Sequence, residues 1–88
     1  MEYINPYKVF VKVTADFSPD GQIVPRSFTW EDGSEYEIDR ILYIDRCASL
    51  KAGGFGKRYT VSVMGKQTYI WLEEWDDGHR FFMERKKL

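Results

Sequence analysis

The 88-residue sequence predicts an all-β fold: a small antiparallel meander of about six strands, bent into an SH3-like or similar small barrel. Three observations carry this. Apolar and polar residues alternate over short stretches; Gly, Asp and Pro separate those stretches; and no stretch keeps the 3.6-residue period of a long amphipathic helix. A flat sheet of this length would leave its apolar face in water, so bending is expected.

Lys8 to Phe17 is the clearest strand, with Val9, Val11, Val13, Ala15 and Phe17 on one face. Pro19-Asp20-Gly21 turns the chain, which sets Phe17 opposite Val24, Val13 opposite Phe28 and Val11 opposite Trp30. Pro25 lacks an N–H and marks an edge or a bulge early in the second strand. At the next turn a two-residue loop would oppose Phe28 and Trp30 to Glu37 and Glu35. A three-residue loop, Asp32-Gly33-Ser34, pairs Trp30 with Tyr36 and Phe28 with Ile38, and is preferred. Beyond Ile38 two polar residues interrupt the pattern, so a bulge is expected near Asp39-Arg40.

From Cys47 to Lys57 the chain passes through Gly53-Gly54-Phe55-Gly56, read as the longest loop. Tyr59, Val61 and Val63 then alternate again. A turn at Gly65-Lys66 pairs Val63 with Thr68, Val61 with Ile70 and Tyr59 with Leu72. A last turn at Asp76-Asp77-Gly78 leads into Arg80 to Arg85, where Leu72 meets either Met83 or Phe82.

Composition bounds the function. A chain of this length supports one hydrophobic core, so residues 1–88 are read as one domain. Thirteen basic and 14 acidic residues leave a formal net charge of −1, so no global field draws the chain to nucleic acid or an anionic membrane. The lone Cys47 cannot form an internal disulfide, the N-terminus lacks the pattern of a signal peptide, and no apolar run approaches a membrane span. A cytoplasmic protein without membrane attachment is expected.

Gly53 to Arg58 superficially matches a phosphate loop, yet Lys51 stands where the first glycine is needed, no Ser or Thr follows, and the segment runs into a strand. What is left is a shallow anion nest with Lys51, Lys57 and Arg58, against a plain solvated connector. His79 beside Asp76 and Asp77 is too small a ligand set for zinc and lacks the spacing of a calcium loop, so no metal is expected. Cys47 has one histidine in the chain to serve as base, and Glu73 and Glu74 point to opposite faces of a strand. No enzyme and no cofactor is expected.

Two aromatics remain over. With Tyr59, Val61, Ile70 and Leu72 inward, Tyr69 and Trp71 face outward, and Phe82 joins them if the last hairpin turns at Asp77-Gly78. Either they form an interface, with Phe55, Lys57 and Arg58 of the neighbouring loop, or the segment Tyr3 to Tyr7 or the C-terminal tail covers them. The expected function is a non-catalytic interaction module whose partner is a protein, itself or another. The alternative is single-stranded nucleic acid, its bases stacked on those aromatics and its phosphates met by Lys57, Arg58, Lys66 and Arg80.

The run Phe28-Thr29-Trp30, Gly33 and Tyr36 to Ile41, followed by Tyr59-Thr60-Val61 and Trp71, resembles small bacterial all-β domains of unassigned function. That resemblance implies a bacterial cytoplasmic protein and adds no activity.

Overall fold

A computed structural model describes residues 5–49 and 52–85. It is all-β, with β1 (Lys8–Phe17), β2 (Ile23–Thr29), β3 (Glu35–Glu37), β4 (Arg40–Ser49), β5 (Gly54–Val63), β6 (Lys66–Trp75) and β7 (Gly78–Glu84). All pairings are antiparallel, in the order β3-β2-β1-β7-β6-β5-β4, and the sheet curls into a half-barrel.

Seven strands stand where six were expected because the third predicted strand divides. β3 pairs with β2 at one edge of the sheet, and β4 pairs with β5 at the other. Two residues join them: the Ile38 N–H donates to the Arg26 carbonyl and the Asp39 N–H to the Ser62 carbonyl, each at 2.8–2.9 Å. The irregularity expected at Asp39-Arg40 is therefore a change of sheet edge. A true bulge follows at Leu42, between the pairs Ile41↔Val61 and Tyr43↔Thr60.

β1 is also shared. Lys8 to Val11 pair with Glu84 to Phe81 of β7, while Lys12 to Phe17 pair with β2. Val13 opposes Phe28 as the sequence predicts. Val11 instead faces Phe81, and an extra residue at Arg26, beside Pro25, moves Phe17 opposite Ile23.

Two hairpins keep the predicted face but slip by two residues. The β2–β3 loop is Glu31-Asp32-Gly33, closed by the Trp30 N–H on the Ser34 carbonyl at 2.8 Å, so Phe28 opposes Tyr36. Gly33, at φ 89°, takes the left-handed position that ends a three-residue loop. The β5–β6 turn is Met64-Gly65, at φ 52° and 76°, which is the two-residue form with both central residues left-handed. Glycine is favoured second in that turn, which sets the turn one residue earlier than Gly65-Lys66 and pairs Tyr59 with Ile70 and Val61 with Thr68. Met64 is exposed and bears the left-handed strain with no compensating contact in the core. Met64→Asn should therefore raise stability by about 1 kcal/mol, read as a higher urea midpoint at unchanged slope.

The concave face holds the main core: Val9 and Val11 of β1, Phe28 of β2, Tyr59, Val61 and Val63 of β5, Ile70 and Leu72 of β6, Phe81 and Met83 of β7. Tyr59 is wholly buried, and its hydroxyl donates to the Ile23 carbonyl, tying β5 across the barrel to β2. Burial raises the Tyr59 phenol from 10.0 to about 12. A folded value above the unfolded one means this group's contribution is intact below pH 10.0 and is lost as pH rises towards about 12. Ultraviolet titration should show a late-ionising tyrosine that Tyr59→Phe removes.

Candidate interaction surfaces

The convex face of the sheet carries a second, smaller core. Trp71 and Phe82 lie directly opposite on β6 and β7, stacked with centroids 5.3 Å apart and 6° between planes. The last turn is Asp76-Asp77, so Leu72 opposes Phe81 rather than Met83 or Phe82. Trp71 is 2% exposed and Phe82 0%. Ala52, at the start of the chain segment that leads into β5, forms one buried cluster with them. Burying consecutive residues on adjacent strands, Ile70-Trp71-Leu72 and Phe81-Phe82-Met83, requires cover on both faces of the sheet.

The segment read as a glycine-rich loop makes this possible. Gly54 to Gly56 belong to β5, and β4 extends to Ser49, so a hairpin stands where the longest loop was expected. Beyond the Lys57↔Leu72 pair, β5 leaves β6 and crosses the convex face. A Cβ on Gly56 would lie 2.2 Å from the Leu72 carbonyl oxygen, and one on Gly54 would lie 2.9 Å from the Phe82 ring. Both sites need hydrogen because of close approach. The hairpin end is fixed by the Ser49 hydroxyl, which donates to the Glu84 carboxylate at 2.7 Å and accepts from the Ala52 N–H at 2.9 Å. The Trp71 indole N–H donates to the Cys47 carbonyl at 3.2 Å. Lys8 pairs with Glu73 under the same cover, its ammonium 4.5 Å from the Phe82 centroid.

Of the six binding residues the sequence suggested, Tyr69, Trp71 and Phe82 do come together, but Trp71 and Phe82 are inside and Tyr69 is half-buried. Among the described residues Ala52 packs with them; Tyr3, Ile4 and residues 86–88, which the sequence offered as cover, lie outside the described residues, as does Lys51. Arg58 is held by Asp45 at 3.0 and 3.1 Å and lies over Tyr69 at 4.7 Å; the hydrogen bond to Asp45 raises its pKa further. Lys57 is half-buried above the Tyr59 ring. Phe55 alone is well exposed, at 60%, with the Arg46 guanidinium 5.8 Å from its centroid.

The other candidates are spread out. His79 meets Phe17 and Phe81 edge-on at 6.3 and 6.4 Å. Among the described residues no group of three His, Cys, Asp or Glu side chains is placed to hold a metal ion, and no helix is long and apolar enough to cross a membrane. Arg80 is occupied, with Glu73 at 3.2 Å and the Phe10 ring at 3.8 Å. A groove of about 420 Å³ opens at the mouth of the half-barrel between Phe28, Trp30, Tyr36 and Val63, with Met83 as floor.

A further apolar surface lies on β4. β4 is an edge strand of ten residues, and Leu42, Tyr43 and Ile44 are 48%, 57% and 41% exposed. Charged residues bracket them: Arg40 on one side, Asp45 and Arg46 on the other. The signal was present in Ile41-Leu42-Tyr43-Ile44, a continuous apolar run that cannot all face one core when an extra residue at Leu42 breaks the alternation. No protein-family model matches the chain, and neither a curated protein nor a solved structure is significantly similar to it.

Proposed function

We propose that this protein is a non-catalytic interaction module that engages an extended polypeptide along the outer edge of β4. The observation that carries this is the coincidence of a strand edge that pairs with no other strand among the described residues with three adjacent exposed apolar side chains, Leu42 to Ile44. Unpaired backbone N–H and C=O groups offer hydrogen bonds to another strand, and side chains beside them supply selectivity. Natural edges are usually blunted by lysine or proline, and the Leu42 to Ile44 stretch has neither.

Protein is favoured over single-stranded nucleic acid by the state of the aromatics and cations. Trp71 and Phe82 are inside, and Arg58 and Arg80 are held by Asp45 and Glu73. The lone thiol of Cys47 supports a reducing compartment, on which basis we assign the protein to the cytoplasm. The resemblance carried by Phe28 to Ile41 supports a bacterial source.

Affinity capture from the native organism tests the proposal, comparing wild type with a Leu42→Lys, Ile44→Lys double variant. Both substitutions sit at exposed positions, so the circular dichroism of the variant should match wild type. Every polypeptide held by the wild type should be lost from the variant; unchanged capture would remove β4 as the site.

A further inference from the structure

We infer that the groove at the mouth of the half-barrel binds a small aromatic carboxylate, its rings against Phe28, Trp30 and Tyr36 and its carboxylate on Lys66. The site is separate from the β4 edge, since none of the residues lining it belongs to β4.

Shape sets the size of the ligand. The groove has a volume of about 420 Å³, near the low end of the range of roughly 300–1,000 Å³ for small-molecule sites. It therefore suits one or two fused rings rather than an extended chain. The walls set the ligand's form. Phe28 and Tyr36 are directly paired on β2 and β3, their rings stacked with centroids 5.4 Å apart and 25° between planes, so they present one nearly continuous aromatic surface. A flat apolar ligand matches such a wall.

Charge sets the ligand's other end. Among the described residues lining the groove, Lys66 is the one with a charged side chain, and no carboxylate among the described residues pairs with it. Lys66 and Thr68 are alternate residues of β6 and share its concave face, which places an ammonium and a hydroxyl on the same wall. The Asp39 carboxylate reaches the nearby turn, but it accepts from the Gly65 N–H at 3.4 Å and does not line the groove. An apolar groove with one uncompensated cation selects an amphiphilic anion, and a carboxylate accepts from an ammonium and a hydroxyl together.

Met64 supplies an independent observation. Among the described residues it is the one other than glycine with positive φ, at 52°; it is 78% exposed, and it lines the groove. Asparagine or glycine fits that backbone at lower cost, so the fold gains nothing from methionine there. A ligand does gain, because an unbranched thioether at the lip can lie along an aromatic ring. Backbone strain kept at the lip of a groove is accounted for by binding rather than by folding.

Titration calorimetry with 2-naphthoate tests the inference, with 2-naphthamide, the same rings without the charge, as the paired probe. The wild type should take up one naphthoate per chain and bind naphthamide about ten-fold more weakly. Lys66→Gln, at an exposed position, should lose about the same factor for naphthoate and nothing for naphthamide. Met64→Asn separates the site from the fold: it should keep its raised urea midpoint yet bind both probes about threefold more weakly, a split that a purely structural residue would not produce. Absence of saturable naphthoate binding at millimolar concentration overturns the inference. So does equal affinity for the two probes, or a Lys66→Gln variant that binds naphthoate as the wild type does. Sedimentation equilibrium covers the rival occupant: a mass above 10.5 kDa that naphthoate returns to 10.5 kDa would mean that a second copy fills the groove, which also overturns the inference.

Discussion

Replacing Gly56 by alanine is expected to destabilise the fold by about 3 kcal/mol, a fall in Tm on the order of 15 °C for a domain of this size. The obstacle is backbone. A methyl group at this position would stand 2.2 Å from the Leu72 carbonyl oxygen and 3.0 Å from the Leu72 carbonyl carbon, and neither can turn aside as a side chain does. Relief requires β5 to move off β6 where Lys57 pairs with Leu72, which also lifts the hairpin end from Trp71 and Phe82. Gly54→Ala makes the internal comparison. Its new methyl would meet the far ends of Phe82, Glu73 and Lys8 at 2.9–3.1 Å, and the two charged ends can withdraw. Thermal melts of the two variants should rank Gly56→Ala well below Gly54→Ala; equal losses would mean that β5 does not pass this close to Leu72.

Trp71→Ala should lose about 3–5 kcal/mol, the range for truncating a buried aromatic. The loss has two parts. A cavity opens between Phe82 and Ala52, and the Cys47 carbonyl loses the indole N–H that caps it. Were Trp71 an exposed interface residue, the same substitution would weaken binding and leave stability nearly untouched. Urea unfolding separates these outcomes: a midpoint shifted far down supports the covered aromatic pair, and an unmoved midpoint contradicts it. Trp71→Phe should fall between, since it keeps a ring on Phe82 but loses the donor.

Strand faces were legible from the sequence to a greater depth than strand registers, and the reason lies in the period of the signal. Side chains alternate every two residues, so a slip of two leaves the apolar face intact and the pattern cannot detect it. Phe28 with Tyr36 instead of Ile38, and Tyr59 with Ile70 instead of Leu72, are slips of this kind. The turn decides between them, through Gly33 and Gly65 at positive φ. The passage of the chain from one sheet edge to the other at Ile38-Asp39 left no mark beyond a local break in alternation, because the pairing that defines it comes from Arg26 and Ser62 elsewhere in the chain.

The convex core was hidden for a different reason. Gly53 to Gly56 have the composition of a loop, and glycine's low strand preference points away from β5. Glycine there answers to the Leu72 backbone and the Phe82 ring, which come from distant sequence. The available clue was the pair of uninterrupted apolar triplets, Ile70-Trp71-Leu72 and Phe81-Phe82-Met83, since residues that alternate in direction cannot all be apolar beneath a single covered face. β4 is obscured in turn, because its first half continues the pattern of β3 and its second half runs into the glycine-rich segment.

The place of β7 in the sheet bears on how the chain acquires its structure. Among the described strands it comes seventh in sequence and stands in the middle in space, with β1, β2 and β3 on one side and β6, β5 and β4 on the other. The β4–β5–β6 meander closes through short turns and can assemble early, whereas β1 must find a strand 70 to 76 positions downstream, Val11 against Phe81 and Lys8 against Glu84. Until residues 78–84 join, Lys8 to Val11 of β1 have no strand to pair with and β6 pairs with β5 alone. The inner edges of β1 and β6 are thus the last to be satisfied, and each is an unpaired edge until β7 fills the space between them.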